Sequence, residues 1–263
     1  GVINLSHGAV CMVGAYAAQF LMARFHLSLA SGLLVAFAVA GSIGLLIDFL
    51  VLRPLRARNG PHLIPMIATI GIAIILNNAA QGFFGAQNIR YPDEVIGHKA
   101  IEFGGIQVTT LELAIMLLSV SLMVVLLFVL KRTQIGRGLR AIAESPRAAN
   151  LVGINVEGLF RVTSFVAAGL GGVAGVLIGL YSNALYPLMG QPMLHKGIAV
   201  IILGGMGDIR GAMLGGLFLG FAEVLSIAYI GSNTRDAVAF GLLFLALLIR
   251  PKGLFGTLQE RKV

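Results

Sequence analysis

The sequence predicts an all-α fold, a bundle of membrane-spanning helices with broken or re-entrant segments. Three observations carry that expectation. Only 11% of the 263 residues are charged and 57% are hydrophobic, with a mean hydropathy of +0.93, whereas soluble domains carry roughly 25% charged residues. A water-soluble core of this size has no room for so much apolar surface, and lipid solvates it directly. The apolar residues also fall into runs close to the roughly 20 residues that a bilayer-crossing helix needs. Finally, 35 glycines supply the small residues that let such helices approach closely.

The candidate spans, in chain order, are 2–23, 27–52, 63–84, 111–130, 159–181 and 212–230, with 237–249 a shorter terminal candidate. The first run lacks a basic n-region and a small-residue exit, so it is not read as a signal peptide. The run 197–203 is apolar but too short to cross, and it leads into the glycine-rich GGMGDIRG. Such a segment reads as a half-helix or re-entrant element, which lipid tolerates only where neighbouring protein shields the free backbone groups. Basic residues assign the sides. Arg53, Arg56 and Arg58 fall in one predicted loop, Lys131, Arg132, Arg137, Arg140, Arg147 and Arg161 in or beside another, and Arg250, Lys252, Arg261 and Lys262 in the tail. Alternating the spans puts all three on one face and Asp93, Glu94 and Glu102 of the 85–110 loop on the other, on condition that 197–230 returns to its starting side or crosses once in total, which itself supports a broken element there. The positive-inside rule makes the arginine-rich face cytoplasmic. Topology therefore accounts for the net charge of +8, and no nucleic-acid partner is expected; the surrounding partner is lipid.

The loop between the fourth and fifth spans contains RTQIGRGLRAIAESPRAANLVGIN, residues 132–155. Arg137 to Ala143 are good helix formers. Ser145-Pro146 is an N-cap followed by proline at the first helical position, and Gly153 is a natural C-terminal stop. The pattern predicts two short helices bent at Glu144 and Ser145. They expose Leu139, Ile142, Ala148 and Leu151 among Arg137, Arg140 and Arg147. A small apolar surface ringed by charge suits docking to another protein; a solvated positive-inside loop is the plainer alternative.

GRGLRAIAESPRAANLVGIN resembles the cytoplasmic coupling segment of permeases in branched-chain amino acid ABC transporters. The resemblance extends along nearly the whole chain, through GVINLSHGAVCMVGAYAA, VLRPLR, LIPMIATIGIAIILNN, LGGMGDIRGAMLGGLFLG and RDAVAFGLLFLALLIRPKGLFG, in that order. It points to the H-type permease subunit, and implies a helix preceding residue 1. It further implies a second, M-type permease, two cytoplasmic ATPase subunits holding ATP and Mg, a periplasmic solute-binding protein and a multi-pass location in the bacterial inner membrane. Residues 1–263 then read as one transmembrane permease domain with 132–155 as its coupling segment. The transported solute is expected to be a branched-chain amino acid. Permeases for urea, short amides or other amino acids share the architecture, and a self-sufficient secondary transporter or channel is a further alternative.

The chain offers little chemistry of its own. It has no Gly-Lys dipeptide, hence no phosphate-binding G-x-x-x-x-G-K-[ST] loop, and no cofactor is expected in it. Its single cysteine, Cys11, excludes an intrachain disulfide and a cysteine-built metal site. The five histidines are scattered, without the i,i+4 spacing of a metal pair. Residues 169–174 fit a relaxed G-x-G-x-x-A fingerprint but follow no strand, so the glycines read as steric. Gly171, Gly175 and Gly179, like Gly207, Gly211 and Gly215, recur every four residues and form smooth faces for helix packing. Asn4, Ser6, His7, Asn77, Gln81 and Glu223 are polar residues inside apolar runs. They read as helix–helix hydrogen-bond partners or as contacts along a solute pathway.

The topology is directly testable. Single cysteines placed in a Cys11-free variant at 53–61, 131–158 and beyond Arg250 are expected to react with impermeant reagents only from the cytoplasmic side, and those at 85–110 only from outside. Labelling of position 140 from outside would refute the map.

Overall fold

The computed structural model describes residues 4–58, 61, 63–92, 100–103, 106–205, 207–231 and 234–249. Asp93, Glu94, the Glu102 side chain and the basic tail from Arg250 lie outside the described residues. The helices are α1 (His7–Phe25), α2 (Leu29–Ile47), α3 (Arg53–Ala57), α4 (Leu63–Phe84), α5 (Thr110–Arg132), α6 (Gln134–Glu144), α7 (Pro146–Leu151), α8 (Val156–Ser182), α9 (Gly190–Gly204), α10 (Ile209–Tyr229) and α11 (Arg235–Ile249). A two-stranded antiparallel hairpin, β1 (Ala100–Phe103) and β2 (Ile106–Thr109), precedes α5. Thr109 and Glu112 then start α5 with a reciprocal capping box, which satisfies two otherwise unpaired N–H groups.

Six helices are long and apolar enough to cross a membrane: α1, the continuous stretch Leu29–Ala57, α4, α5, α8 and α10. They match the six long runs read from the sequence, with two differences. The first helix starts at His7, because Asn4–Ser6 form a turn. The second continues past Leu52, so Arg53 and Arg56 are helical where the sequence suggested a loop. Pro54 explains how. Proline has no N–H and its ring crowds the carbonyl four residues back, and the chain widens over Asp48–Leu52 into a π-helical turn. The Arg53 N–H then reaches the Asp48 carbonyl, five residues away, and the helix proceeds without a break.

The described chain divides into two compact units, Gly1–Gln191 and Pro192–Val263. In the first, α1, α2 and α8 form the core, and they meet through missing side chains. A Cβ on Gly14 would lie 2.7 Å from Gly172 Cα, and one on Gly172 would lie 2.5 Å from the Ala40 methyl and 2.6 Å from the Ala36 carbonyl. Gly175 sits against the Cys11 carbonyl, and Gly44 against Ala168 and the Ser164 carbonyl. Gly171, one turn earlier, faces the His7 ring and the Cys11 sulfur, while Gly179 makes room for Tyr91 and Leu185 rather than for another helix. Tyr91 is buried and donates to the Ala15 carbonyl at 3.4 Å, and burial pushes its phenol up from the ordinary tyrosine range. Residues around it pair with the segment after α8, through reciprocal Ile89–Leu185 hydrogen bonds of 2.9 and 2.8 Å.

In the second unit α9 and α10 form an antiparallel pair that returns towards its own starting end. Gly204 packs on the backbone of Gly211, and Gly215 on the Val200 carbonyl and Gly204. Gly205 (φ +102°) and Gly207 (φ +97°) make the reversal, a conformation L side chains rarely adopt. Asp208 caps α10 by accepting from the Arg210 N–H at 2.8 Å. Gly207 therefore does not belong to a helix face with Gly211 and Gly215. It lies in the turn before α10, with nothing within 4 Å of a Cβ position, and its role is conformational.

Gly175→Leu is expected to destabilise the folded protein by about 3 kcal/mol or more, since the added side chain meets backbone that has no rotamer to yield. Val124→Leu, on an exposed stretch of α5, is expected to be neutral. Thermal melting of the two purified variants in detergent checks this; equal midpoints would remove backbone contact as the basis of the α1–α8 packing.

Candidate functional site

The polar start of α1 is built by short-range bonds. The Asn4 side-chain oxygen accepts from the Ser6 N–H at 3.0 Å and the Ser6 hydroxyl at 2.6 Å. The Leu5 N–H donates to the Thr69 hydroxyl at 3.1 Å, which ties this turn to α4. Ser6 and Thr69 are fully buried, so both serve the turn. Asn4 and His7 are half-buried and border a cavity of about 1010 Å³. The same cavity is bordered by Glu144, Ser145, Pro146 and Arg147 at the bend between α6 and α7. Its remaining lining is made of apolar side chains from α1, the Asp48–Leu52 turn, α3, α4 and α8 together with a group of charges.

Those charges centre on Asp48, fully buried at the first position of the π-helical turn. Arg56 Nη1 lies 2.7 Å from one Asp48 oxygen and Nη2 3.4 Å from the other. Arg56 Nη2 is also 3.6 Å from Glu157, and Arg53 Nε is 3.4 Å from the same Glu157 oxygen. The Arg56 guanidinium sits over the Phe160 ring, 4.7 Å from its centroid. This ties the end of α2 and α3 to the first turns of α8. A buried carboxylate is tolerable only with such a partner, and a cation over an aromatic face gains more as water is excluded.

The segment 132–155 folds as the two predicted short helices. Thr133 caps α6, accepting from the Gly136 N–H, and Ser145 caps α7, accepting from the Ala148 N–H at 3.2 Å. Gly153 ends α7 at φ +83°. The whole elbow is fastened to its neighbours. Gly136 packs on the Leu130 carbonyl, which also accepts from Arg140, and Gly138 packs on Leu159 of α8. Ile142 is correspondingly buried, at 6% exposure. That corrects its expected place on the exposed face: it anchors the elbow, because the glycine side of α6 is the side that packs. Leu139 is half-buried; Ala148, Leu151, Arg137, Arg140, Glu144 and Arg147 are exposed. Val152, 76% exposed beside Leu151 at 89%, belongs to the same apolar face and was not singled out from the sequence.

The remaining polar residues are elsewhere. Asn77 is half-buried and Gln81 exposed on α4, and neither borders the cavity. Glu223 belongs to the second unit, where it is buried at 5% exposure and Lys196 Nζ lies 2.8 and 2.9 Å from its two oxygens. Asp236 stands 3.8 Å from the same Nζ, and Ser226 and Thr234 share a 2.7 Å hydrogen bond close by in sequence. Lys196 thus links α9, α10 and α11. Glu223 is a helix-joining residue there, consistent with the structural reading of a buried carboxylate.

Six helices long and apolar enough to cross a membrane, joined by glycine contacts, make this a multi-pass membrane protein. The model of the family described as the branched-chain amino acid transport system permease component matches residues 1–247, and the chain belongs to that family. The high-affinity branched-chain amino acid transport system permease protein LivH of Escherichia coli K12 is 34% identical over 276 residues, covering 100% of this chain and 88% of the relative. BraD of Pseudomonas aeruginosa, described in the same words, is 36% identical over 274 residues, covering 100% and 89%. A probable LivH from Methanocaldococcus jannaschii is 32% identical over 270 residues, covering 97% and 83%. No solved structure matches the chain.

Lys196→Met is expected to destabilise the protein by about 3 kcal/mol, because it removes the cation from a buried carboxylate. Adding Glu223→Gln is expected to restore most of that loss. A double-mutant cycle on thermal midpoints measures it; additive losses would show that the two side chains do not act as a pair.

Proposed function

We propose that this chain is one of two membrane subunits of an ATP-driven importer of the bacterial inner membrane. Together with a second homologous permease of the M type it forms the pathway for branched-chain amino acids delivered by a periplasmic binding protein. The match to LivH and BraD along the whole of this chain supports the solute class. Two cytoplasmic ATPase subunits supply the driving force, a reading supported by the family of transport-system permeases to which the chain belongs. The observation that carries the coupling role is the elbow itself. Ala148, Leu151 and Val152 face outward, while Gly136, Gly138 and Ile142 hold α6 against the end of α5 and the start of α8.

A push on α7 from an ATPase groove then passes into two membrane helices rather than dissipating in a loop. Arg137, Arg140 and Arg147 border the contact and pair with acidic groups on the groove's rim, which governs association rate and salt sensitivity more than affinity. A branched-chain amino acid is a zwitterion with an apolar side chain. A pathway for it requires a few polar groups, apolar walls and weak binding, so that the solute leaves.

Ala148→Glu is expected to lower transport and solute-stimulated ATP hydrolysis at least tenfold in the reconstituted complex, with assembly checked by size-exclusion chromatography. An apolar contact at the centre of an interface is typically worth about 1 kcal/mol or more, and a buried charge adds to its loss. Arg147→Ala is expected to be milder and more salt-dependent. Full stimulation in an assembled Ala148→Glu complex would leave the elbow as a positive-inside loop.

A further inference from the structure

The cavity between the elbow and the first turn of α1 holds charges that the coupling role does not use. Asp48, Glu144 and Glu157 border it with Arg56 and Arg147, and Arg53 stands on Glu157. Anions and cations balance, so the cavity selects against a net ion and accommodates a neutral solute with two separated charges. Arg56 gives Asp48 one N–H from each terminal nitrogen, which leaves a second N–H on each, and its side chain, 22% exposed, borders the cavity. A carboxylate is the natural acceptor for a guanidinium N–H. Glu157 is held at 3.4 and 3.6 Å through the same oxygen, and its side chain is 44% exposed, so its other oxygen is the one that accepts from an ammonium group. Val10, Leu52, Leu55, Ala167 and Ala168 supply the apolar wall. At about 1010 Å³ the space is at the upper end of the roughly 300–1,000 Å³ of small-ligand sites, so an amino acid fits with water around it.

We propose that this cavity is an inward-facing solute site, in which the Arg56 guanidinium takes the carboxylate and Glu157 the ammonium of an amino acid whose apolar side chain lies against Val10, Leu52 and Ala167. Asp48 acts as a positioning residue: its two oxygens hold the guanidinium in place. The site is weak by construction, because each counter-charge is already partly neutralised within the protein, and a solute held there is released towards the elbow. The assignment rests on the permease reading above.

The test is protection of an introduced cysteine in the assembled, nucleotide-free complex in proteoliposomes. Ala167, exposed on the cavity wall, is replaced by cysteine in a Cys11→Ala background, and maleimide modification of this subunit is followed from the ATPase side. L-leucine is expected to slow modification at least fivefold, whereas isovalerate and isoamylamine at the same concentration, each carrying one of the two charges, are expected to have less than a twofold effect. Arg58→Cys, exposed at the end of α3, is expected to react equally with and without leucine. Arg56→Gln should abolish protection. Glu157→Gln, which leaves the buried Asp48–Arg56 pair intact, should do the same where Arg56→Gln fails to assemble. Equal protection by isovalerate, or protection that survives Glu157→Gln, would overturn the assignment. So would an absence of protection in a complex that still transports L-leucine. A complex that neither transports L-leucine nor is protected overturns the permease reading, and the site with it.

Discussion

Every other feature of the first unit depends on the direct contact of backbones where α1, α2 and α8 cross. In lipid no hydrophobic force drives helices together, so association comes from close van der Waals contact and interhelical hydrogen bonds. Each such contact is small and the sum is large only when many atoms meet. Gly14, Gly44, Gly172 and Gly175 allow that meeting. The spacing they impose decides what else can touch. His7 reaches Gly171 because Cys11 lies on Gly175 one turn further along. The end of α2 runs beside the first turns of α8 because Gly44 lies on Ala168.

The buried charge follows from the same arrangement. Asp48 and Arg56 are eight residues apart, about 12 Å along a helix axis at 1.5 Å per residue, beyond the usual one-turn pairing distance. They meet because side chains on a helix lean towards its N-terminus and arginine is long enough to reach back along the widened turn. Phe160 and Glu157 of α8 complete the surroundings of the guanidinium. Three separate elements thus share one arginine. Substitution by lysine would keep the charge and lose the fork that engages Asp48 through two nitrogens.

Much of this was legible in the sequence. Run length located the spanning helices, and proline, serine and glycine located the elbow, because capping and φ preferences act within a few residues. The i,i+4 glycines found the α8 face as far as Gly175. Prediction failed where the deciding contact is remote. Ile142 looks exposable beside Arg140, and only Gly138 against Leu159 shows which side of α6 packs. Gly207 continues the four-residue spacing of Gly211 and Gly215, yet the reversal consumes it. Asn77 and Gln81 were as plausible as Asn4 and His7, since polarity inside an apolar run does not say which face turns inward. The pairs Arg56–Glu157 and Lys196–Glu223 have no local signature at all.

The elbow and the cavity are not independent parts. Glu144, Ser145, Pro146 and Arg147 are at once the hinge between α6 and α7 and part of the lining of the cavity. His7, also on the lining, lies against Gly171 in the α1–α8 contact, where backbone meets backbone and little compression is available. A displacement of α7 would therefore change the lining at the elbow while leaving the wall at His7 in place. On the coupling reading, an ATPase subunit need not deform the helical core to admit or expel a solute. It need only move the two-helix elbow on its glycine seat. Ile142 and Gly138, which hold that seat, would then set how far the movement goes, and the exposed Ala148, Leu151 and Val152 how firmly it is driven.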